Sequence, residues 1–168
     1  MLSIVTYPDK FLKTTAKSII NVDGTTQELI GQMEIIMLQA KGVGLAAIQV
    51  GIDQSLLVYD IEQEQKLSNL RVLINPKILG KEGETLSKNE GCLSVPDFRA
   101  DVKRSAKIFV EALDRHGNPL QFEADGIKAV VLQHEIDHLN GILFIDHISS
   151  LKRGLYKRKV KKQLKKTR

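Results

Sequence analysis

Two histidines four positions apart, His134 and His138, enclose Glu135 in a segment that starts at Asp125-Gly126 and stops before Gly141. Asp125-Gly126 opens a helix running to about Leu139, and Gly141 supplies the left-handed residue that commonly ends one. Positions i and i+4 share a helical face, so both imidazoles can reach a single metal ion while Glu135 projects beside them towards a water bound to it. Ile127, Val130 and Val131 put His134 on the buried side, where an apolar residue costs less unless the histidine has a task. The competing reading is a solvated helix surface that happens to carry two histidines.

A catalytic site of this kind takes three protein ligands and leaves a position open. In metzincin peptidases the third ligand is a histidine six residues beyond the second; here Gly141 fits that pattern but Phe144 occupies the ligand position. Thermolysin-like peptidases take a downstream glutamate, and none follows His138. Cys92, within Glu90-Gly91-Cys92-Leu93-Ser94, is the replacement: a thiolate and two imidazoles complete a tetrahedral site with one vacancy. A lone cysteine is more often a buried structural residue, but a two-histidine helix without its third ligand reverses that balance. With one cysteine no internal disulfide forms, so a reducing cytoplasm is the expected setting.

Elsewhere, residues 24 to 41 read as a helix. Thr25 or Thr26 caps it, Leu29, Ile30, Met33, Ile36, Met37 and Ala40 line one face, and Gly42 stops it. Strand-like runs cover Ser55 to Ile61, Arg71 to Asn75, Lys107 to Asp114 and Pro119 to Ala124, the last pair joined by a hairpin turn at Arg115-His116-Gly117-Asn118. Without regular β-α alternation the expectation is an α+β fold, with short, mainly antiparallel strands around the central metal-binding helix. The 168 residues, 42% hydrophobic, suffice for a single core. No apolar run approaches the roughly 18 residues of a membrane span, and no basic, apolar leader opens the chain. The last 17 residues carry ten Lys and Arg and no acid, so the net charge of +5 divides into about −5 for the body and +10 for the end. Residues 1–150 therefore form the expected catalytic domain and 151–168 a basic C-terminal helix or tail, with Leu151, Leu155, Val160 and Leu164 as its apolar stripe.

Three separated motifs, Gly42-Val43-Gly44-Leu45-Ala46-Ala47-Ile48-Gln49, Glu90-Gly91-Cys92-Leu93-Ser94 and Gln133-His134-Glu135-Ile136-Asp137-His138, agree in order and spacing with those of bacterial peptide deformylases. Tyr7-Pro8-Asp9 is similar too, and the resemblance covers roughly residues 1 to 150. It implies hydrolytic removal of the formyl group from N-formylmethionine of nascent polypeptides. Cys92, His134 and His138 would hold one divalent metal ion, Fe²⁺ in the active form with Zn²⁺ or Ni²⁺ able to replace it. Glu135 would activate a metal-bound water and pass its proton to the leaving nitrogen. By the same resemblance the Leu93 N–H and the Gln49 amide serve the oxyanion, Val43, Ile127 and Val130 line a methionine pocket, the peptide backbone pairs near Gly44, and Arg99 contacts residues beyond methionine. Glu90 and Arg104 resemble a buried pair behind the site, and Asp137 is expected to orient a ligand histidine. Lys88 departs from the pattern, standing where an apolar pocket residue is expected.

The resemblance also suggests that the C-terminal helix docks on the ribosome, whose RNA phosphates suit ten positive charges. Deleting residues 152 to 168 is then expected to spare hydrolysis of a short formyl-peptide. Two other readings stay open at this point. One is a different metallohydrolase on the same scaffold, a peptidase or a remover of another small acyl group. The other is a ribosome- or RNA-binding protein in which His116 or His147 adds a fourth ligand and closes a structural zinc site.

Overall fold

The computed structural model describes residues 2–61 and 70–166. Helix α1 (Gly24–Gln39) is capped by Asp23, whose carboxylate accepts from the Thr25 and Thr26 amides. The cap thus lies earlier than Thr25 or Thr26, because a cap side chain must reach back over the first turn from outside the helix. Strands β1 (Gly44–Ala46), β2 (Leu56–Tyr59), β3 (Arg71–Glu82), β6 (Lys107–Leu113) and β7 (Pro119–Asp125) form one antiparallel sheet in the order β1-β2-β3-β6-β7. Strands β4 (Thr85–Cys92) and β5 (Val95–Arg104) pair separately as a two-stranded ribbon.

The expected strand at Arg71 to Asn75 continues to Glu82 across Pro76. Asn75 takes φ 52°, the ladder to β6 shifts register there, and its side-chain amide exchanges two 2.8 Å hydrogen bonds with the Ile19 backbone. Proline is thereby carried at a bulge, the place inside a ladder that tolerates a missing donor.

Every residue of β2 is buried because the sheet is covered on both sides. Leu56, Val58, Val72 and Ile74 pack with Ile30, Met33 and Met37 of α1. Leu57, Tyr59 and Leu73 point the other way, into the cluster that holds Ala129, Leu132 and Ile136 of helix α2 (Gly126–Leu139). Gln133 fixes α2 at its middle, its amide bonding both N–H and C=O of Ser105 at 2.9 Å. The chain leaves α2 through Gly141, at φ 71°, where a Cβ would meet the Lys13 carbonyl oxygen at 2.5 Å. The fold is thus α+β around a buried helix.

Helix α3 (Ser150–Lys166), the last described element, is docked on the body. Tyr156 and Val160 are buried in the same cluster as α2, whereas Leu151, Leu155 and Leu164 remain at least half exposed. Of the expected stripe Val160 is buried and the three leucines are not; Tyr156, with its aromatic partners, completes the docked face. Tyr156 packs at a tilt against Phe98 (4.6 Å between centroids) and Tyr7 (5.6 Å), and its hydroxyl donates to the Pro96 carbonyl at 3.3 Å. No described helix is long and apolar enough to cross a membrane.

Candidate active site

Helix α2 delivers His134 and His138 from adjacent turns of one face, their Nε2 atoms 3.2 Å apart. Cys92, the last residue of β4, brings its sulfur to 3.2 Å from His138 Nε2. Among the described residues these side chains form the one group of His, Cys, Asp or Glu placed to hold a metal ion, with ligand atoms within 4.8 Å of one another. One thiolate and two imidazoles suit zinc or ferrous iron. The cysteine sits half-buried at a strand end, not on an exposed loop. Neither candidate for a fourth ligand joins it: His147 Nε2 is bonded to Asp137 Oδ2 at 2.7 Å, and His116 is exposed in the β6-β7 turn.

Glu135 is buried beside this group, 4% exposed, and its Oε2 has no hydrogen-bond partner among the described residues. A buried carboxylate oxygen without a donor is costly, which suits a group whose partner is a water or a substrate. Burial is the main cause that drives its carboxyl up to about 7, opposed by His134 and reinforced by Glu90. Gly44 makes room for it, since a Cβ there would stand 2.5 Å from Glu135 Oε1, and Gly42 makes room for Leu93, a Cβ there standing 2.8 Å from its methyl carbon. The Gly-Val-Gly turn is thus a steric requirement of the site.

Gln49, 1% exposed, lies at the end of a 3₁₀ turn following β1. Its Oε1 accepts from the Ala46 amide at 2.8 Å, which fixes the flip of the side chain and aims Nε2 at Cys92 Sγ (3.5 Å) and Ser94 Oγ (3.3 Å). Ser94, a motif residue of which no role was expected, is fully buried and donates its own amide to Cys92 Sγ at 3.4 Å. Its place in the Cys92 motif was the available signal.

Behind Cys92, His134 and His138 runs a chain of buried charge. His134 Nδ1 is 2.7 Å from Glu90 Oε1, and Arg104 grips both oxygens of Glu90, at 2.5 and 3.3 Å. Burial works to raise the Glu90 carboxyl, but the bonds to His134 and Arg104 overcome it and hold the group at about 2. For His134, burial works downward, yet its contacts with Cys92 and Glu90 keep it well above the ordinary histidine value. His138 is pushed well below that value, by burial first and then by His134 and Arg104.

Asp137 does not orient a ligand histidine directly. Its Oδ2 bonds Arg104 at 2.6 Å and His147 at 2.7 Å, because a residue one position before His138 leaves the helix on another face. It is Glu90 that fixes a ring, that of His134, while His138 Nδ1 has no partner among the described residues.

A cavity of about 850 Å³ opens from Glu135 and Cys92. Val43, Gly44, Ile127 and Val130 line it beside His134, and Arg99 and Lys88 also border it. Ile127 is 66% exposed and Val43 46%, so the apolar wall sits at the mouth and not in the core.

Comparison with known proteins agrees along the chain. A sequence model of the family described as polypeptide deformylase matches residues 1–154. A peptide deformylase of Desulfosudis oleivorans is 51% identical over 165 residues, spanning 98% of this chain and 95% of the relative. The crystal structure of a peptide deformylase from Legionella pneumophila superposes with a TM-score of 0.90 at 42% identity, covering 99% of this chain and 97% of that one. A peptide deformylase from Ehrlichia chaffeensis, solved in complex with actinonin, gives 0.89 at 39% identity, with 97% of each chain covered. On sequence and architecture alike, the chain belongs to the polypeptide deformylase family, metal-dependent hydrolases that remove the formyl group from nascent peptides.

Proposed function

We propose that this chain hydrolyses the formamide of N-formylmethionyl nascent polypeptides to formate and a free amino terminus, with Glu135 as the proton-transfer group. The observation that carries the reading is the unpartnered Oε2 of Glu135, buried against Gly44 and beside a converging thiol and imidazole pair. Cys92, His134 and His138 would hold one divalent ion, Fe²⁺ in the active form, with Zn²⁺ and Ni²⁺ as replacements. When bound, that ion supplies Lewis acidity to the formyl carbonyl and to the attacking water.

Glu135 takes a proton from that water and delivers it to the departing nitrogen, so one carboxylate serves both steps. A carboxyl raised by burial is suited to this exchange, since a proton must be both held and released near neutrality. The Gln49 amide, its Nε2 turned to the site by the Ala46 N–H, donates to the developing oxyanion together with the Leu93 N–H. A preorganised donor of this kind is worth about 3 kcal/mol. Methionine enters between Val43, Ile127 and Val130, its flexible thioether filling an irregular apolar wall. The peptide backbone pairs near Gly44, and Arg99 meets the residues beyond methionine. Glu90 holds the His134 ring, Arg104 holds Glu90, and Asp137 holds Arg104. The setting is cytoplasmic, and the basic face of α3 meets the ribosome.

Formate release from formyl-Met-Ala-Ser by anaerobically prepared, iron-loaded protein tests the reading. Loss of most turnover in Glu135→Gln with the metal retained supports it. Wild-type turnover in a metal-replete Glu135→Gln protein would refute the role of Glu135.

A further inference from the structure

Lys88, out of place in an apolar pocket, has company. Lys41, Lys88 and Arg99 come from different elements, the end of α1, β4 and β5, yet all border the cavity that holds Glu135. Lys41 is held in a left-handed conformation (φ 54°), its amide bonded to the Leu38 carbonyl at 3.0 Å. Lys88 owes its position to an irregularity in β4: the register against β5 shifts between Ser87 and Glu90, and Asn89 takes φ 54° with its amide on Asp101 Oδ1 at 2.8 Å. An extra residue in one strand re-aims the side chains beyond it. Here it lets Glu90 turn inward to Arg104 and His134 while Lys88 and Asn89 both remain outside. Arg99 lies along the wall over Gly91 and donates to the Asn89 carbonyl at 3.2 Å.

None of the three cations forms an ion pair among the described residues. Of the carboxylates bordering the cavity, Glu90 is neutralised by Arg104 and Glu135 belongs to the reaction. Among the described residues that leaves Asp97 at the rim, and Lys159 donates to its backbone carbonyl at 3.3 Å. The described residues of the mouth therefore carry an excess of positive charge around a volume of about 850 Å³, near the top of the range of about 300–1,000 Å³ typical of small-molecule pockets. That is more space than one methionine side chain needs.

We propose that this rim selects formylmethionyl peptides carrying acidic residues in the two positions after methionine. The inference rests on the deformylase reading above and names a substrate class for that site. An apolar residue at position 88 would be indifferent to the charge of those side chains; lysine attracts Asp or Glu and repels Lys or Arg. Because the cations are solvent-exposed, the preference is modest and sensitive to salt.

The test compares kcat/KM for C-terminally amidated formyl-Met-Glu-Glu, formyl-Met-Ala-Ser and formyl-Met-Lys-Lys, amidation removing the terminal carboxylate that would blur the comparison. At low salt the Glu peptide is expected to exceed the Lys peptide by about three- to tenfold, the difference lying in KM, and to converge on it at high salt. Lys88→Met and, independently, Lys41→Met should each shrink the ratio, and Lys88→Glu should reverse part of it. The ratio is internal to each variant, so a loss of folded protein cancels. Equal kcat/KM for the Glu and Lys peptides at low salt, with formyl-Met-Ala-Ser still cleaved, would overturn the selection alone. Failure to cleave any of the three would overturn the deformylase reading and this inference with it.

Discussion

Gly44 and Glu135 share a space that admits only one side chain. A Cβ on Gly44 would stand 2.5 Å from Glu135 Oε1, 2.8 Å from its Cγ and 2.9 Å from its Cδ. The constraint is steric, since Gly44 is not among the residues with positive φ. Gly44→Ala must therefore displace either β1 or the carboxylate. A misplacement of about 1 Å can cost about 100-fold in rate, so kcat on formyl-Met-Ala-Ser should fall by that order. Metal content should hold, because Cys92, His134 and His138 lie outside the clash. A folded Gly44→Ala protein with wild-type kcat would show that Glu135 tolerates displacement.

Cys92→Ser replaces the sulfur of the proposed donor set by a hydroxyl, a far weaker ligand for zinc or ferrous iron. The expected outcome is loss of metal on dialysis against a chelator that leaves the wild-type protein loaded. Metal analysis decides it, and unchanged content would remove Cys92 from the ligand set.

The Arg104–Glu90 pair predicts an asymmetry. Both side chains are almost wholly enclosed, so removing the arginine alone leaves a buried carboxylate without its main counter-charge. Such truncations cost about 3–5 kcal/mol. Arg104→Leu should therefore destabilise the fold by that order in urea unfolding, whereas exposed Lys103→Leu, whose partner Glu84 is also exposed, should change it by less than about 1 kcal/mol.

How much the sequence disclosed depends on the reach of each signal. His134, Glu135 and His138 were legible because helical spacing is local, and Cys92 because that helix lacked a ligand. Strand β5 was missed: Asp97, Arg99, Asp101 and Lys103 make it read as a polar loop, and its inward face ends in a charged residue, Arg104. Alternation carries information only when the buried partner is apolar, and here a distant carboxylate made arginine a core residue. The real partners of Asp137 were invisible for the same reason, lying 33 and 10 positions away. The kink at Asn75-Pro76 reads as the end of a strand, since the contact that rescues it comes from Ile19, 56 positions earlier.

Asp146 offers a pH test away from the metal group. Burial acts to raise its carboxyl, but bonds from the Lys13 ammonium and the Leu143 amide outweigh this and lower it below the ordinary value. A lowered folded-state pKa contributes stability that is fully present above the unfolded value of about 3.9 and is lost as pH falls through the folded one. With Asp146 about a third exposed, the increment should be about 1 kcal/mol. Asp146→Asn should therefore be less stable than wild type at pH 7, and the two unfolding curves should approach each other below about pH 4. A gap that stayed constant to pH 2 would assign the loss to packing.

The C-terminal helix combines two roles that separate variants can divide. Tyr156 packs on Phe98, Phe98 stacks on Phe144 at 5.9 Å, and Phe144 stacks on His134 at 6.2 Å, so a chain of rings runs from α3 to a histidine of the candidate metal group. Deleting residues 152–168 removes Tyr156 and Val160 from the core, which adds a cost in stability to the expectation that hydrolysis of a short formyl-peptide is spared. The deletion should lower the unfolding midpoint, and Tyr156→Ala alone should cost about 3 kcal/mol, as large aromatic truncations do. The basic residues answer differently, because Lys157, Lys161 and Lys165 are exposed and lie on one face at spacings of four. Changing these to Gln should alter stability by less than about 0.5 kcal/mol. If the basic face meets ribosomal RNA, the same change weakens ribosome association and flattens its salt dependence, each lost phosphate contact reducing the logarithmic slope by about 0.7–0.9. Cosedimentation at low and physiological salt measures this directly. Equal binding by the triple variant and the wild-type protein would leave α3 with its packing role alone.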